Sequence, residues 1–302
     1  MTLQELRYIV ALADTGHFGK AAESCFVTQS TLSTQLRKLE DSLGLVLFDR
    51  SLKRVAPTPK GREILAAARN ILAEAERIRE MAGHAQDPMA RTIHLGIIPT
   101  LGPYYLPGAL ALLRKRHPAL RPLLREETTQ QIVDHLLEGE LDAGLLALPV
   151  ADDRIQAEPL FNECFFAALP VAHALAARKA LNAADLKREK LLLLDEGHCL
   201  RDQALDFCGA HSSNLREEVR ATSLETLRQM VGMGLGVTLL PALSVNAGSR
   251  VANKSVVCRP FAKPAPKRTI ALIWRMHVPF PETFERLAAT LKSHLPEEVE
   301  PA

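Results

Sequence analysis

Long apolar runs are missing from this chain of 302 residues. The longest, such as Leu191 to Leu194 and Val231 to Leu235, fall far short of the roughly 20 residues a membrane helix needs, so no membrane partner is expected. The N-terminus, MTLQELRYIV, has an early acidic residue and lacks a cleavable apolar core, which argues against a secretory signal and predicts a cytoplasmic protein. The five cysteines include no C-x-x-C pair, so neither a zinc motif nor a thioredoxin-like motif is available, and no metal or cofactor is expected. Their odd number also argues against a secreted disulfide scaffold and leaves reactive or structural thiols. Net charge is nearly absent as well, at +2, so bulk electrostatics do not announce a nucleic-acid binder. What remains, 47% apolar and 24% charged, is the composition of an ordinary globular chain long enough for about two domains.

The arrangement of charge says more than its sum. Residues 1–58 hold seven Lys/Arg against six Asp/Glu, yet Arg50, Lys53 and Arg54 fall in one short stretch and Arg37 and Lys38 sit side by side. A local basic footprint of this kind can grip phosphate without a high overall pI, although scattered solvated charge would look similar. Leu3, Leu6, Ile9, Val10 and Ala13 follow a helical period over residues 3–14. A Gly-His-Phe break leads to a short helix over 19–24, a turn through Cys25–Val27, and a longer helix from Gln29 to about Leu43 capped by Thr28. On that helix Leu32, Leu36, Leu39 and Leu43 form a buried stripe. Gln29, Ser30, Thr31, Ser33, Thr34, Arg37 and Lys38 occupy the opposite face. Short hydroxyl and amide side chains near a helix start suit the major groove, and they suit a plain solvated face equally. After Gly44, LVLFDRSLKRVAPT reads as two short strands around a basic tip, which is the shape of a wing.

The stretch LRYIVALADTGHFGKAAESCFVTQSTLSTQLRKLEDSLGLVLFDR resembles the N-terminal domain of the LysR family of transcription regulators. The Phe before a small-residue helix, T-Q-S-T-L-S, L-E-x-x-L-G and L-F-x-R occur in the family's order. The resemblance implies that Gln29 to Thr34 and Lys38 face the groove of double-stranded promoter DNA, while Arg50, Lys53 and Arg54 reach backbone or minor groove. Thr58 and Pro59 open the next helix as cap and first residue. Along it Ile64, Ala68, Ile71, Ala75, Ile78 and Ala82 repeat at steps of four and three, a seam for a second copy or for the chain's own body. The family resemblance favours a second copy and implies a homodimer or homotetramer, with RNA polymerase engaged during activation.

From about residue 91 strands and helices alternate, as in a parallel sheet with crossover helices. Strands are expected over 94–99, 120–127, 142–148 and 269–275, and helices over 102–117, 128–140 and 282–295. The fold class is therefore α/β: a winged helix-turn-helix over 1–58, a linker helix and hinge over 59–88, and a two-lobed, periplasmic-binding-protein-like sensor domain over 89–302. Its lobes comprise roughly residues 91–161 with 267–295, and 162–266. Ligands collect outside the carboxyl ends of such strands, where Thr100 and Thr129 stand, though threonines near helix starts also serve as caps.

The segment LLLLDEGHCLRDQALDFC carries the chemistry. A buried strand runs into Gly197 and a helix is expected to begin at His198 or Cys199. A thiol at a helix N-terminus, beside His198 and Arg201, gains thiolate character, and thiolate is the species peroxide oxidises to sulfenic acid. If 199–208 is helical, nine residues separate Cys199 from Cys208 by ~13.5 Å and ~900° of rotation, on opposite faces. The GHCLRDQ motif with its downstream Cys, ATSLETLRQMV and LGVTLLPAL resemble those LysR members that sense hydrogen peroxide through a reversible disulfide. This implies a regulator activated by a Cys199–Cys208 bridge and controlling oxidative-stress genes, with Cys199 peroxidatic and Cys208 resolving. Thr100, Thr129, His198 and Asp202 would line the peroxide pocket. Cys25, Cys164 and Cys258 lie in apolar stretches and are expected to be buried and structural. Two other classes compete: a LysR regulator that binds a small metabolite, and a thiol peroxidase, against which the winged helix speaks.

Overall fold

A computed structural model describes residues 1–50, 55–82, 87–208, 220–249, 255–278 and 280–302. It divides into two compact units, Met1–Asp87 with Asp134–Leu141, and Pro88–Val133 with Asp142–Ala302. The first contains α1 (Leu3–Thr15), α2 (Phe18–Ser24), α3 (Gln29–Leu43), β1 (Phe48–Asp49), β2 (Ala56–Pro57) and α4 (Pro59–Ala82). Local chemistry sets these bounds. Thr2 and Glu5 form a reciprocal capping box on α1, Thr28 accepts the Thr31 N–H at 3.2 Å on α3, and Thr58 accepts the Gly61 N–H at 2.9 Å on α4. Gly16 and Gly44 close α1 and α3 in the left-handed conformation that a Cβ disfavours. The expected leucine stripe is present, since Leu32, Leu36 and Leu39 are buried against Ile9, Leu12 and Phe48 in one core. β1 and β2 pair antiparallel as the two arms of the wing; its tip, with Lys53 and Arg54, lies outside the described residues.

The α4 seam divides between its two readings. Ala68 is buried with Leu65 in the core of its own unit, whereas Ile71 stays 41% exposed. The side chains of Ile78 and Ala82 lie outside the described residues.

The second unit runs β3 (Thr92–Ile97), α5 (Gly102–Arg116), β4 (Arg121–Glu126), the start of α6 (Thr129–Glu138, of which the residues from Asp134 on belong to the first unit), β5 (Ala143–Ala147) and β6 (Ile155–Pro170). A 3-10 turn, α7 (Ala183–Leu186), β7 (Leu193–Leu194), α8 (Cys199–Cys208), β8 (Arg220–Ala221), α9 (Leu224–Gly232), β9 (Thr238–Pro241) and α10 (Ala242–Ser249) follow. The chain returns through β10 (Val256–Pro260), β11 (Lys267–Arg275), α11 (Pro281–Lys292) and β12 (Glu300–Pro301). β3 pairs parallel with β4 and β5, which are linked by crossover helices as the alternation predicts. β6 joins two lobes: its first part pairs with β11 and its last residues pair with β9 and β10. Cys164 marks the change of partner, being the last residue of β6 paired with β11.

Candidate functional site

β3 and β4 end side by side, with Ile97 in register with Glu126 and the Glu127 N–H donating to Ile97 O at 3.1 Å. Thr100 and Thr129 therefore follow the carboxyl ends of adjacent parallel strands. Neither is a helix cap. α5 is preceded by Leu101 without any side-chain cap, and α6 is capped by Thr128, which exchanges hydrogen bonds with Gln131. The Thr129 hydroxyl oxygen is buried and has no hydrogen-bond partner. Thr100, 3% exposed, accepts from Arg268 Nη1 at 2.8 Å through its hydroxyl and from Arg268 Nη2 at 3.1 Å through its carbonyl.

The thiol segment meets this strand end. Gly197 has φ +90°, a conformation that favours glycine, and its ideal Cβ position lies 3.5 Å from Thr128 Cγ2, in ordinary contact with the start of α6. α8 spans Cys199–Cys208, starting where a helix is expected and meeting the condition under which the two thiols lie far apart. Both thiols are free; Cys199 is half-buried, while Cys208 is 2% exposed and packs with Leu200 and Ala204 in the core of the second lobe. Burial pushes the Cys208 thiol up to about 11. Gln203 stands four residues after Cys199, on the same face of α8, and its Oε1 is buried without a partner. Buried polar atoms left unpaired are costly, so the Thr129 hydroxyl and the Gln203 carbonyl mark places where a small polar ligand would recover hydrogen bonds.

One expectation about electrostatics changes. His198 is buried, and desolvation, opposed only by Asp195, holds its pKa below the ordinary histidine value. Burial therefore favours the uncharged ring. Arg201 Nη1 donates to Leu194 O at 3.0 Å, closing the turn into α8. Asp202 is exposed in the first turn of α8. Cys25, Cys164 and Cys258 are half-buried rather than buried. Cys25 ends α2 at a turn, Cys164 sits where β6 changes partner, and Cys258 is on β10 at the sheet edge.

In the first unit Gln29, Ser30, Thr31, Thr34 and Lys38 are exposed and Ser33 is half-buried. The hydroxyls of Ser30 and Thr31 lie 2.9 and 2.8 Å from Thr28 Oγ1. Arg50 is partly committed: its Nη2 donates to Glu40 Oε2 at 2.6 Å, and its guanidinium lies over the Phe18 ring. Glu40, which sequence reasoning overlooked, is buried on α3 and also accepts from the backbone N–H groups of Leu47 and Phe48. The glutamate of L-E-x-x-L-G and the arginine of L-F-x-R thus brace the wing against α3. Sequence reasoning also overlooked the pair Glu163 and Arg268, joined across 105 positions with no local signature, and Gln203, for which the i+4 spacing was an available signal.

Comparison with known proteins agrees with this layout. Residues 3–62 match the bacterial regulatory helix-turn-helix protein, lysR family, and residues 86–296 match the LysR substrate binding domain. The chain is 42% identical over 295 residues to the DNA-binding transcriptional dual regulator OxyR of Escherichia coli, covering 98% of this chain and 96% of that protein. Among solved structures, full-length OxyR C199D from Pseudomonas aeruginosa matches with a TM-score of 0.85 at 41% identity, over 97% of this chain and 95% of that one. An H2O2-bound mutant of OxyR from Corynebacterium glutamicum matches with a TM-score of 0.66 at 34% identity, over 97% and 92% of the two chains. A winged helix-turn-helix head, a two-lobed α/β domain and matches to both of their family models make this chain a member of the LysR family of regulators.

Proposed function

We propose that this protein is a transcription regulator that hydrogen peroxide activates through a Cys199–Cys208 disulfide, controlling oxidative-stress genes from the cytoplasm. The observation that carries the reading is a pair of free thiols at the two ends of one ten-residue helix, the first half-buried one turn before Gln203 with its buried, unpartnered Oε1, and the second sealed in the core. In the first step the Cys199 thiolate attacks one peroxide oxygen, the O–O bond breaks, and the second oxygen leaves as hydroxide that takes up a proton to become water. Cys199 becomes a sulfenic acid. In the second step the Cys208 sulfur attacks the sulfenic sulfur, the S–S bond forms, and the sulfenic oxygen departs as water with the thiol proton. Thr100, Thr129, His198 and Asp202, with Gln203 added from the geometry, line the peroxide pocket. Mass mapping of disulfides after one equivalent of peroxide, run beside a promoter footprint, tests the reading. A 199–208 bridge with an altered footprint is expected. A footprint indifferent to dithiothreitol would leave a metabolite-responsive regulator, and steady peroxide consumption would indicate an enzyme.

Residues 1–58 serve as the DNA-binding domain, 59–88 as the pairing helix and hinge, and 89–302 as the sensor. The exposed face of α3 (Gln29, Ser30, Thr31, Ser33, Thr34 and Lys38) reads bases and backbone of double-stranded promoter DNA, with Arg50, Lys53 and Arg54 on phosphate. Gln29→Ala or Thr31→Ala should relax preference at particular base pairs, by about 1–3 kcal/mol each. Arg50→Ala should weaken binding to all sequences alike and lower the salt slope by roughly 0.9. Fluorescence anisotropy on specific and random duplexes checks both; equal losses on the two duplexes for the α3 variants would overturn the assignment.

The protein acts as a homotetramer, a dimer of dimers, and engages RNA polymerase when it activates. Exposed Ile71, within the α4 seam, supports the first interface. Closed symmetry lets a change in the sensors move one DNA-binding pair against the other. Light scattering at micromolar concentration should give four times the 33.2 kDa chain mass. A monomeric mass in both redox states would contradict the assembly.

A further inference from the structure

Among the described residues of the second unit, Glu163 and Arg268 form an ion pair whose two side chains are both fully enclosed. Glu163 Oε2 accepts from Arg268 Nε at 2.8 Å and stands 2.8 Å from Nη2, while Oε1 accepts the Leu243 N–H at 2.9 Å. Leu243 is the second residue of α10, so this acceptor also satisfies a donor that a helix start leaves unpaired. The carboxylate is therefore clamped from both sides. It is no mobile counterion.

Through the pair, Glu163 orients Arg268 toward Thr100. The guanidinium carries only donors. Since its Nη1 donates to Thr100 Oγ1, the hydroxyl hydrogen of Thr100 cannot be returned to it and points elsewhere. Among the described residues, that buried hydrogen has no acceptor. We infer that Glu163 is a positioning residue for the peroxide step: it holds Arg268 so that the guanidinium occupies the acceptor side of Thr100 and leaves the Thr100 hydroxyl to donate to a peroxide oxygen. A donor aimed at the oxygen that gains charge as the O–O bond breaks stabilises the transition state more than the ground state. A glutamine there loses the charge, and its one carbonyl oxygen cannot serve both Arg268 and the Leu243 N–H, so the guanidinium is no longer held against Thr100. The hydroxyl then loses its fixed polarity. Glu163 touches neither the peroxide nor Cys199; it acts through Arg268 and Thr100.

The inference rests on the peroxide reading above, and the experiment separates the two. In the full chain, oxidation of Cys199 by hydrogen peroxide and alkylation of the same thiol by iodoacetamide are timed for wild type, Glu163→Gln, Thr100→Val and the double variant. Glu163→Gln should oxidise roughly tenfold or more slowly while its alkylation stays within about twofold of wild type, because alkylation does not need the Thr100 donor. In the Thr100→Val background the same change should add less than about twofold, since residues acting through one group are not additive. Oxidation of Glu163→Gln at the wild-type rate, an equal slowing of alkylation, or full additivity with Thr100→Val would overturn the inference. If Glu163→Gln does not fold, Glu163→Asp, which keeps the charge and shortens the reach, goes through the same cycle with the same criteria. Failure of the wild type to form the 199–208 bridge would instead remove the peroxide reading itself.

Discussion

Replacing Cys199 with serine abolishes the peroxide response, because a hydroxyl at the first position of α8 cannot form a sulfenic acid. The footprint of Cys199→Ser should not change at any peroxide concentration that shifts the wild type. Cys208→Ser behaves differently. Its Cys199 still oxidises, and the sulfenic acid, with no resolving thiol, accumulates and proceeds to the irreversible sulfinic state. Trapping with dimedone and intact mass separate the two variants. The buried Cys208 adds a pH signature. Desolvation holds its thiol at about 11, above the value of 9.0 it would have in water. Its folded value is raised, so between these limits the sealed helix binds a proton that the opened segment has released. The helical state accordingly loses stability as pH climbs from about 9 to about 11, and conversion of sulfenic acid to disulfide should accelerate across that window. Rapid-quench mass spectrometry follows it; a condensation rate that falls over the window would show that exposure of Cys208 does not limit the step. Cys25→Ser, Cys164→Ser and Cys258→Ser should change little, because these half-buried thiols lie outside α8.

Oxidation should also open α8. The helix spans Cys199–Cys208, which sets the two Cα atoms about 13.5 Å apart along its axis, while a disulfide holds them at about 4.4–6.8 Å. No rotamer change closes that gap. The backbone must unwind, and Leu200, Ala204 and Cys208 then leave the core they share with Leu193, Leu227 and Val231. Extracting Leu200 alone costs about 1.5–3 kcal/mol, so the segment stays helical until the covalent bond forms. Amide exchange over 199–208 should rise at least roughly tenfold on oxidation, with about 1.4 kcal/mol of local protection lost per factor of ten. Protease cutting should appear in the same stretch; the region just beyond it, including Ala210, lies outside the described residues. A mapped 199–208 bridge with unchanged protection would mean that the two-structure mechanism is wrong.

Much of this protein is decided by local spacing. The leucine stripe of α3, the hydroxyl caps at Thr28 and Thr58, and the strand–glycine–helix order around Cys199 are readable because caps and periodicities act over a few residues. For the same reason the distance between the two thiols follows from one assumption, a continuous helix, which α8 satisfies. The parallel alternation of the second unit is likewise written along the chain. Other features required the tertiary structure. Thr100 and Thr129 read more readily as helix caps than as pocket residues, and only the tertiary structure, with Thr128 capping α6 and Arg268 donating to Thr100, sets the cap reading aside. His198 is expected from the sequence to help the neighbouring thiol ionise, yet burial favours its uncharged ring. The α4 seam carried two readings, and the packing of Ala68 against its own unit beside exposed Ile71 divides it between them. Glu163 and Arg268 stand 105 positions apart and meet only because β6 and β11 pair antiparallel. The sequence by itself determined helices, strands, caps and the separation of the thiols, whose causes are local. Protonation states, hydrogen-bond polarity and the partner of each buried charge depend on desolvation and neighbours distant along the chain, and only the tertiary structure decided them.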